Sequence, residues 1–202
     1  LLNVVSGITM EEPMMTVRER KDGQWNVQEL VKHSADESAG EFHGSVALKN
    51  GNLKVETQTG DIYTFERVEC DLTRGGDEKI KGTLAGEFLK VPFDGDLSYT
   101  DENNFEGNIQ TEPASLQFLK PLIEKMPGAV HSFDIRNGMG EVTGARIWRS
   151  DGVLSYHVKG RLDQTAVSYE NYALTDVAAF FDICDGVLQI ENFSGKVNGQ
   201  II

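Results

Sequence analysis

The stretch from Leu174 to Gly199 constrains this chain more than any other. Val177, Ala179, Phe181 and Ile183 alternate with Ala178, Phe180 and Asp182, the period of two that a half-buried β-strand needs. Asp185-Gly186 follows, a pair that accepts the positive φ of a tight turn, and Leu188 and Ile190 resume the alternation beyond it. The phrase is a strand, a turn and a strand. Asp22-Gly23, Asn50-Gly51, Asn137-Gly138 and Asp151-Gly152 carry the same turn signal between other apolar alternations. Their uneven spacing excludes a strict short-period solenoid and indicates antiparallel meanders of hairpins.

The rest of the chain fits this rhythm with few exceptions. Met14 to Arg20 reads as a strand, and Val27, Leu30 and Val31 after it fall at helical spacing, a short turn of helix at most. Residues 32–40 lack any period and read as a loop. Val46 and Leu48, then Leu53 and Val55, alternate on either side of Asn50-Gly51, which reads as a hairpin turn; Arg74 to Asp77 reads as another. Ile80, Leu84 and Phe88 share a face with Gly82 and Gly86, an apolar face with two gaps. Leu154, Tyr156, Val158 and Leu162, opposed by Ser155, His157, Lys159 and Arg161, give one dry face and one wet face.

One segment breaks the pattern. Thr111-Glu112-Pro113 has the hydroxyl, the acid and the early proline of a helix start, and Leu116, Leu119, Leu122, Ile123 and Met126 then fall on one helical face. Pro121 sits inside this run and Pro127-Gly128 ends it. The expected organisation is a β-meander over 1–110, an amphipathic helical connection over 111–128 and a second β-meander over 129–202. The fold class is mostly β, an elongated, curled antiparallel sheet with one or two short helices. A single sheet with one apolar face must close as a barrel, stack as a sandwich or curl over something apolar.

Charge and motif content remove several function classes. Lys and Arg number 19 against 32 Asp and Glu, a net charge of −13, so phosphate backbones and anionic membrane surfaces are repelled on average and no nucleic-acid partner is expected. No apolar run is long enough for a membrane-spanning helix. The chain opens on Leu1-Leu2-Asn3-Val4-Val5, already strand-like, and reads as a piece of a longer protein with any anchor or export signal outside it. Cys70 and Cys184 fit no metal-ligand spacing; two buried thiols are expected, with a disulfide as the alternative in an oxidising compartment.

Catalytic signatures are missing from the sequence. His33, His43, His131 and His157 lie at no ligand-pair spacing, and His157, on the wet face, reads as a solvated side chain. Asp182, Asp185 and Glu191 are spread over strand, turn and strand, unlike the oxygens of a calcium loop. Gly138-Met139-Gly140 follows a hairpin signal, not the strand-to-helix crossing that a dinucleotide needs. No catalytic residue, metal or cofactor is therefore expected, and the chain reads as a non-enzyme.

Three phrases carry a family resemblance: Lys21 to Leu30 (KDGQWNVQEL), Val46 to Val55 (VALKNGNLKV) and Asp185 to Gly199 (DGVLQIENFSGKVNG). They resemble the AsmA-like superfamily of diderm bacteria, to which TamB-like proteins belong. The resemblance runs from about Met14 to Gly199 and leaves the helical segment unplaced. It implies a protein anchored in the inner membrane by a helix outside this segment, crossing the periplasm as a curled sheet with an apolar groove. Such proteins are implicated in carrying phospholipid to the outer membrane and, for some, in assembling outer-membrane proteins. The resemblance brings no catalytic residues, only a face. Ile80, Leu84, Phe88, Leu154, Tyr156, Val158, Phe181, Leu188 and Ile190 are the expected groove lining, with phospholipid as the partner. The alternatives are a scaffold offering a sheet edge to an outer-membrane protein, and a closed structural or adhesive sandwich.

Overall fold

The computed structural model describes residues 7–21, 26, 44–74, 79–101, 104–118, 133–150, 153–169 and 171–202. Among the described residues the protein is nearly all β, as the alternations predict, with thirteen strands. The expected loop over 32–40, the short helical turn after Val27, and the turns at Asp22-Gly23, Gly75-Gly76 and Asp151-Gly152 lie outside the described residues. The chain divides into two compact units, one of Leu1–Phe88 with Asp96–Thr100, the other of Leu89–Gly95 with Asp101–Ile202.

In the first unit, β3 (Ser45–Glu56), β4 (Ile62–Arg74) and β5 (Ile80–Phe88) form an antiparallel meander. On its edge lie β1 (Gly7–Glu11) and β2 (Met14–Arg18), both parallel to β3. This parallel edge departs from the all-antiparallel expectation. β1 and β2 act as two halves of one edge strand broken at Glu12-Pro13: the Glu12 N–H donates to Lys49 O at 2.8 Å and Asn52 N–H to Pro13 O at 2.8 Å. Asn26 secures the far end of β2, accepting from the Arg18 N–H at 2.9 Å and donating to Thr16 O at 3.0 Å.

Across the β2–β3 pair, Glu56 accepts from Arg18 Nε at 2.5 Å and lies 2.8 Å from Lys54 Nζ. The Arg18 hydrogen bond and then that of Lys54 hold the Glu56 carboxyl down at about 2, and the Glu56 contact raises the Arg18 guanidinium in turn. A depressed carboxylate stabilises the fold above the unfolded-state pKa and loses that contribution as pH falls through the folded-state value. Carbon-detected NMR titration of Glu56 is expected to place its midpoint near 2, and Arg18→Gln to return it towards the ordinary glutamate range. A wild-type midpoint already in that range would remove the ion pair.

In the second unit the order is β7 (Asn104–Thr111), β9 (Phe133–Ser150), β10 (Val153–Tyr169), β11 (Tyr172–Cys184), β12 (Val187–Val197) and β13 (Gln200–Ile201), all antiparallel. β8 (Ala114–Ser115) pairs with β9 beside them, and β6 (Val91–Asp101) has residues in both units. Asp185-Gly186 makes the expected hairpin, with φ of 45° and 88°. Asp185 also accepts from the Tyr156 N–H at 2.9 Å and donates its own N–H to Tyr156 O at 3.1 Å, which ties the turn to β10. Asn198-Gly199 makes a second such turn, with φ of 48° and 85°.

Two other signals acquire a different meaning. Asn50-Gly51 and Asn137-Gly138 are not hairpin turns: each lies inside one continuous strand, β3 and β9. The positive φ of Asn50 (52°) and Gly138 (133°) serves a β-bulge instead. The helix start expected at Thr111 is also absent, because Thr111 ends β7 and its hydroxyl accepts from the Val142 N–H at 3.0 Å. Among the described residues helix appears only over Leu116–Phe118, and the rest of the expected helical run lies outside them.

Bulges recur at one level of each unit. Positive φ at Arg67, Gln164, Asp176 and Asn192 coincides with register shifts in β4, β10, β11 and β12. An extra residue reverses which side chains face which way, so the apolar positions change parity at each bulge. They run Val46, Leu48 and then Leu53, Val55 in β3; Tyr63, Phe65 and then Val68, Cys70, Leu72 in β4. In β12 they run Leu188, Ile190 and then Phe193, Val197. Because the change of parity offsets the extra residue, the apolar face of each unit continues past the bulges. Tight packing accompanies the bulges in each unit: Val68 is 7% exposed in the first, and Thr165 and Val177 are 1% and 5% exposed in the second.

Candidate functional site

Register assigns each strand residue to a face, and the faces differ in kind. In the second unit, Tyr156 is opposite Ile147, Val158 opposite Ala145 and Ile183, and Gly160 opposite Phe181; Phe181 and Ile183 are opposite Ile190 and Leu188. Directly opposed residues project to the same side. Tyr156, Val158, Phe181, Leu188 and Ile190 therefore share one apolar face, and Leu154 takes the next register position along β10, opposite Arg149. In the first unit, Ile80, Leu84 and Phe88 face the same way, opposite Arg74, Cys70 and Phe65, and the Phe88 ring stacks on Phe65 at 4.8 Å.

The expected lining residues are thus collected face by face within each unit. Leu188 and Ile190 are each 57% exposed and Tyr156 and Ile147 each 37%, whereas Val158 and Phe181 are half-buried. Gly160 explains part of the difference. A Cβ there would meet the Phe181 ring and Glu141 O, so the ring lies across the bare backbone of the neighbouring strand. Leu116 covers Gly140 in the same manner.

The opposite face is charged. Arg161 meets Glu141 at 2.6 Å, Arg146 meets Glu106 at 2.9 Å, and Asp182 is shared between His157 Nε2 at 2.7 Å and Lys159 Nζ at 3.5 Å. His157 is therefore a half-buried partner of Asp182 rather than a freely solvated ring. Two aromatic residues of this face escaped the sequence reading: Trp148, under the Arg146 guanidinium at 4.8 Å, and Phe180, 49% exposed. Phe180 is hidden in the apolar run from Val177 to Phe181, and Trp148 stands beside Ile147 between Arg146 and Arg149.

Chemistry that could act covalently is sparse among the described residues. No group of three His, Cys, Asp or Glu could hold a metal ion there, and no helix is long and apolar enough to cross a membrane. Cys70 and Cys184 are both free thiols. Cys70 is half-buried, and burial followed by the Asp71 charge raises its pKa; Cys184 is exposed, contrary to the expectation of two buried thiols.

Comparison with known proteins finds no matching family model, curated protein or solved structure. The site is defined by its own geometry: in the second unit, an apolar face backed by an ion-paired one.

Proposed function

We propose that this chain is a non-catalytic segment of a lipid conduit, in which acyl chains lie along the apolar face and head groups stay in water. One observation carries the reading: the apolar side chains are gathered on one face but not sealed. In the second unit Ile147 and Tyr156, each 37% exposed, and Leu188 and Ile190, each 57% exposed, share that face. Single exposed apolar residues are ordinary, but a contiguous face of them marks a binding surface. Each methylene transferred from water to such a face gains about 0.8 kcal/mol, and the gain has no preferred position along the chain, so a bound lipid can slide. The family resemblance supports phospholipid as the cargo, the periplasm as the location and an inner-membrane anchor in the parent protein.

The test is detergent-free purification from a diderm bacterium, organic extraction and mass spectrometry of the extract. Phospholipid is expected in at least equimolar amount, and in the Leu188→Asp, Ile190→Asp double variant it is expected to fall about tenfold or more, since two carboxylates on the face oppose hydrocarbon there. A lipid-free, cooperatively folded wild-type protein would replace the conduit with a structural module.

A further inference from the structure

The chain contains three Asn-Gly pairs, Asn50-Gly51, Asn137-Gly138 and Asn198-Gly199. Such a pair carries its own chemistry, because a glycine N–H with no side chain beside it can attack the amide of the asparagine before it. Attack requires the peptide between the two residues to rotate until the glycine nitrogen reaches Cγ. The fold therefore decides which pair reacts.

Two of the pairs are held. Asn50 and Gly51 lie inside β3, where Gly51 is buried and opposite Val68, and a Cβ on it would stand 3.1 Å from the Pro13 ring. Asn137 and Gly138 lie inside β9, with Asn137 opposite Ala166 and Gly138 packed on Thr165, which is 1% exposed. Rotating either peptide would break a ladder and drive backbone into a packed neighbour.

Asn198-Gly199 is placed differently. It forms the two-residue turn between β12 and β13, both residues are exposed, and a Cβ on Gly199 would meet nothing within 4 Å. The Gly199 N–H donates to no backbone acceptor among the described residues. Asn198 itself is anchored to β11: its N–H donates to Ala173 O at 2.8 Å, and its Oδ1 accepts from the Ala173 N–H at 2.9 Å. That second bond falls on the oxygen that becomes negative when the amide is attacked, where a fixed donor stabilises the intermediate.

We infer that Asn198 is a modification site, which loses its side-chain amide to attack by the Gly199 nitrogen while Asn50 and Asn137 keep theirs. The bond from Gly199 N to Cγ forms as the Cγ–Nδ2 bond breaks, ammonia leaves with the proton of the Gly199 N–H, and a cyclic succinimide remains. Water then opens either carbonyl of the ring, leaving aspartate or isoaspartate at 198. Aspartate keeps the oxygen that Ala173 holds and adds one negative charge. Isoaspartate carries the chain through the former side chain, which lengthens the turn and unsettles the Val197–Gln200 pair beside it. The site needs neither ligand nor enzyme, and it stands apart from the conduit reading.

The experiment incubates the purified chain in mildly alkaline buffer, with and without denaturant, and follows each Asn-Gly peptide by mass spectrometry. In the folded protein Asn198 is expected to convert about tenfold or more faster than Asn50 and Asn137; in denaturant the three are expected to agree within about threefold, because only the dipeptide remains. Asn198→Gln is expected to remove most of the ammonia that folded protein releases over the same interval. Conversion of Asn50 or Asn137 as fast as Asn198 in the folded chain would overturn the inference, as would ammonia release unchanged in Asn198→Gln. An Asn198 that stays intact in the folded chain while denatured protein converts would overturn it too, and would mean that the Ala173 bonds lock the turn against attack.

Discussion

Leu188→Asp and Ile190→Asp are expected to leave the far-UV spectrum and the unfolding midpoint close to those of the parent, whereas Val177→Asp is expected to unfold its unit. All three residues lie on the same face of the second unit. Leu188 and Ile190 are 57% exposed, so a carboxylate there remains hydrated and costs only the apolar contact that is lost. Val177 is 5% exposed and is opposite Thr165, which is 1% exposed, so a carboxylate there is desolvated without a partner. That costs about 3 kcal/mol or more, a large part of a domain's whole stability. Denaturant unfolding followed by circular dichroism separates the cases. Equal destabilisation by all three would mean that the face is sealed in solution, which is the closed-sandwich alternative.

Gly138→Ala is expected to be as damaging as the buried charge, although it adds one methyl group. Gly138 has φ of 133°, a conformation essentially confined to glycine. A Cβ there would stand 2.5 Å from Thr165 Oγ1 and 2.7 Å from Thr165 Cα. Backbone strain and overlap together amount to about 3 kcal/mol or more. Thr165→Ala in the same chain is expected to restore little, because the contact with Cα persists and the strain at residue 138 is unchanged. Full recovery in the double variant would mean that only the hydroxyl obstructs the added methyl, and that Gly138 is not required by its conformation.

The alternations of the sequence carried most of what the fold turned out to be. Leu154 to Leu162, and Val177 to Ile183 with Leu188 and Ile190, predict both the strands and the faces, because a period of two leaves no other way to hide one set of side chains. The turn signals were legible only in part. Asp185-Gly186 and Asn50-Gly51 ask for the same positive φ, and a hairpin and a bulge both supply it; only the pairing of the flanking residues distinguishes them. Arg67 and Gln164 gave no signal at all, since neither residue type favours that conformation and the sheet imposes it. The face was readable for the same reason as the strands.

The bulges also govern how this sequence can change over time. A strand with one such bulge is written in two reading phases, even-numbered apolar positions on one side and odd-numbered on the other, as in β12 with Leu188 and Ile190 before Asn192 and Phe193 and Val197 after it. Loss of Asn192 alone would merge the phases and turn one half of the strand over, sending Leu188 and Ile190 to the side of Asp182 and Lys159, or Phe193 and Val197 in their place. Substitutions at the exposed positions are cheap by comparison. Single-residue insertions and deletions within the strands should therefore be purged from the descendants of this sequence far more strongly than point changes, and should survive mainly where a second one nearby restores the phase.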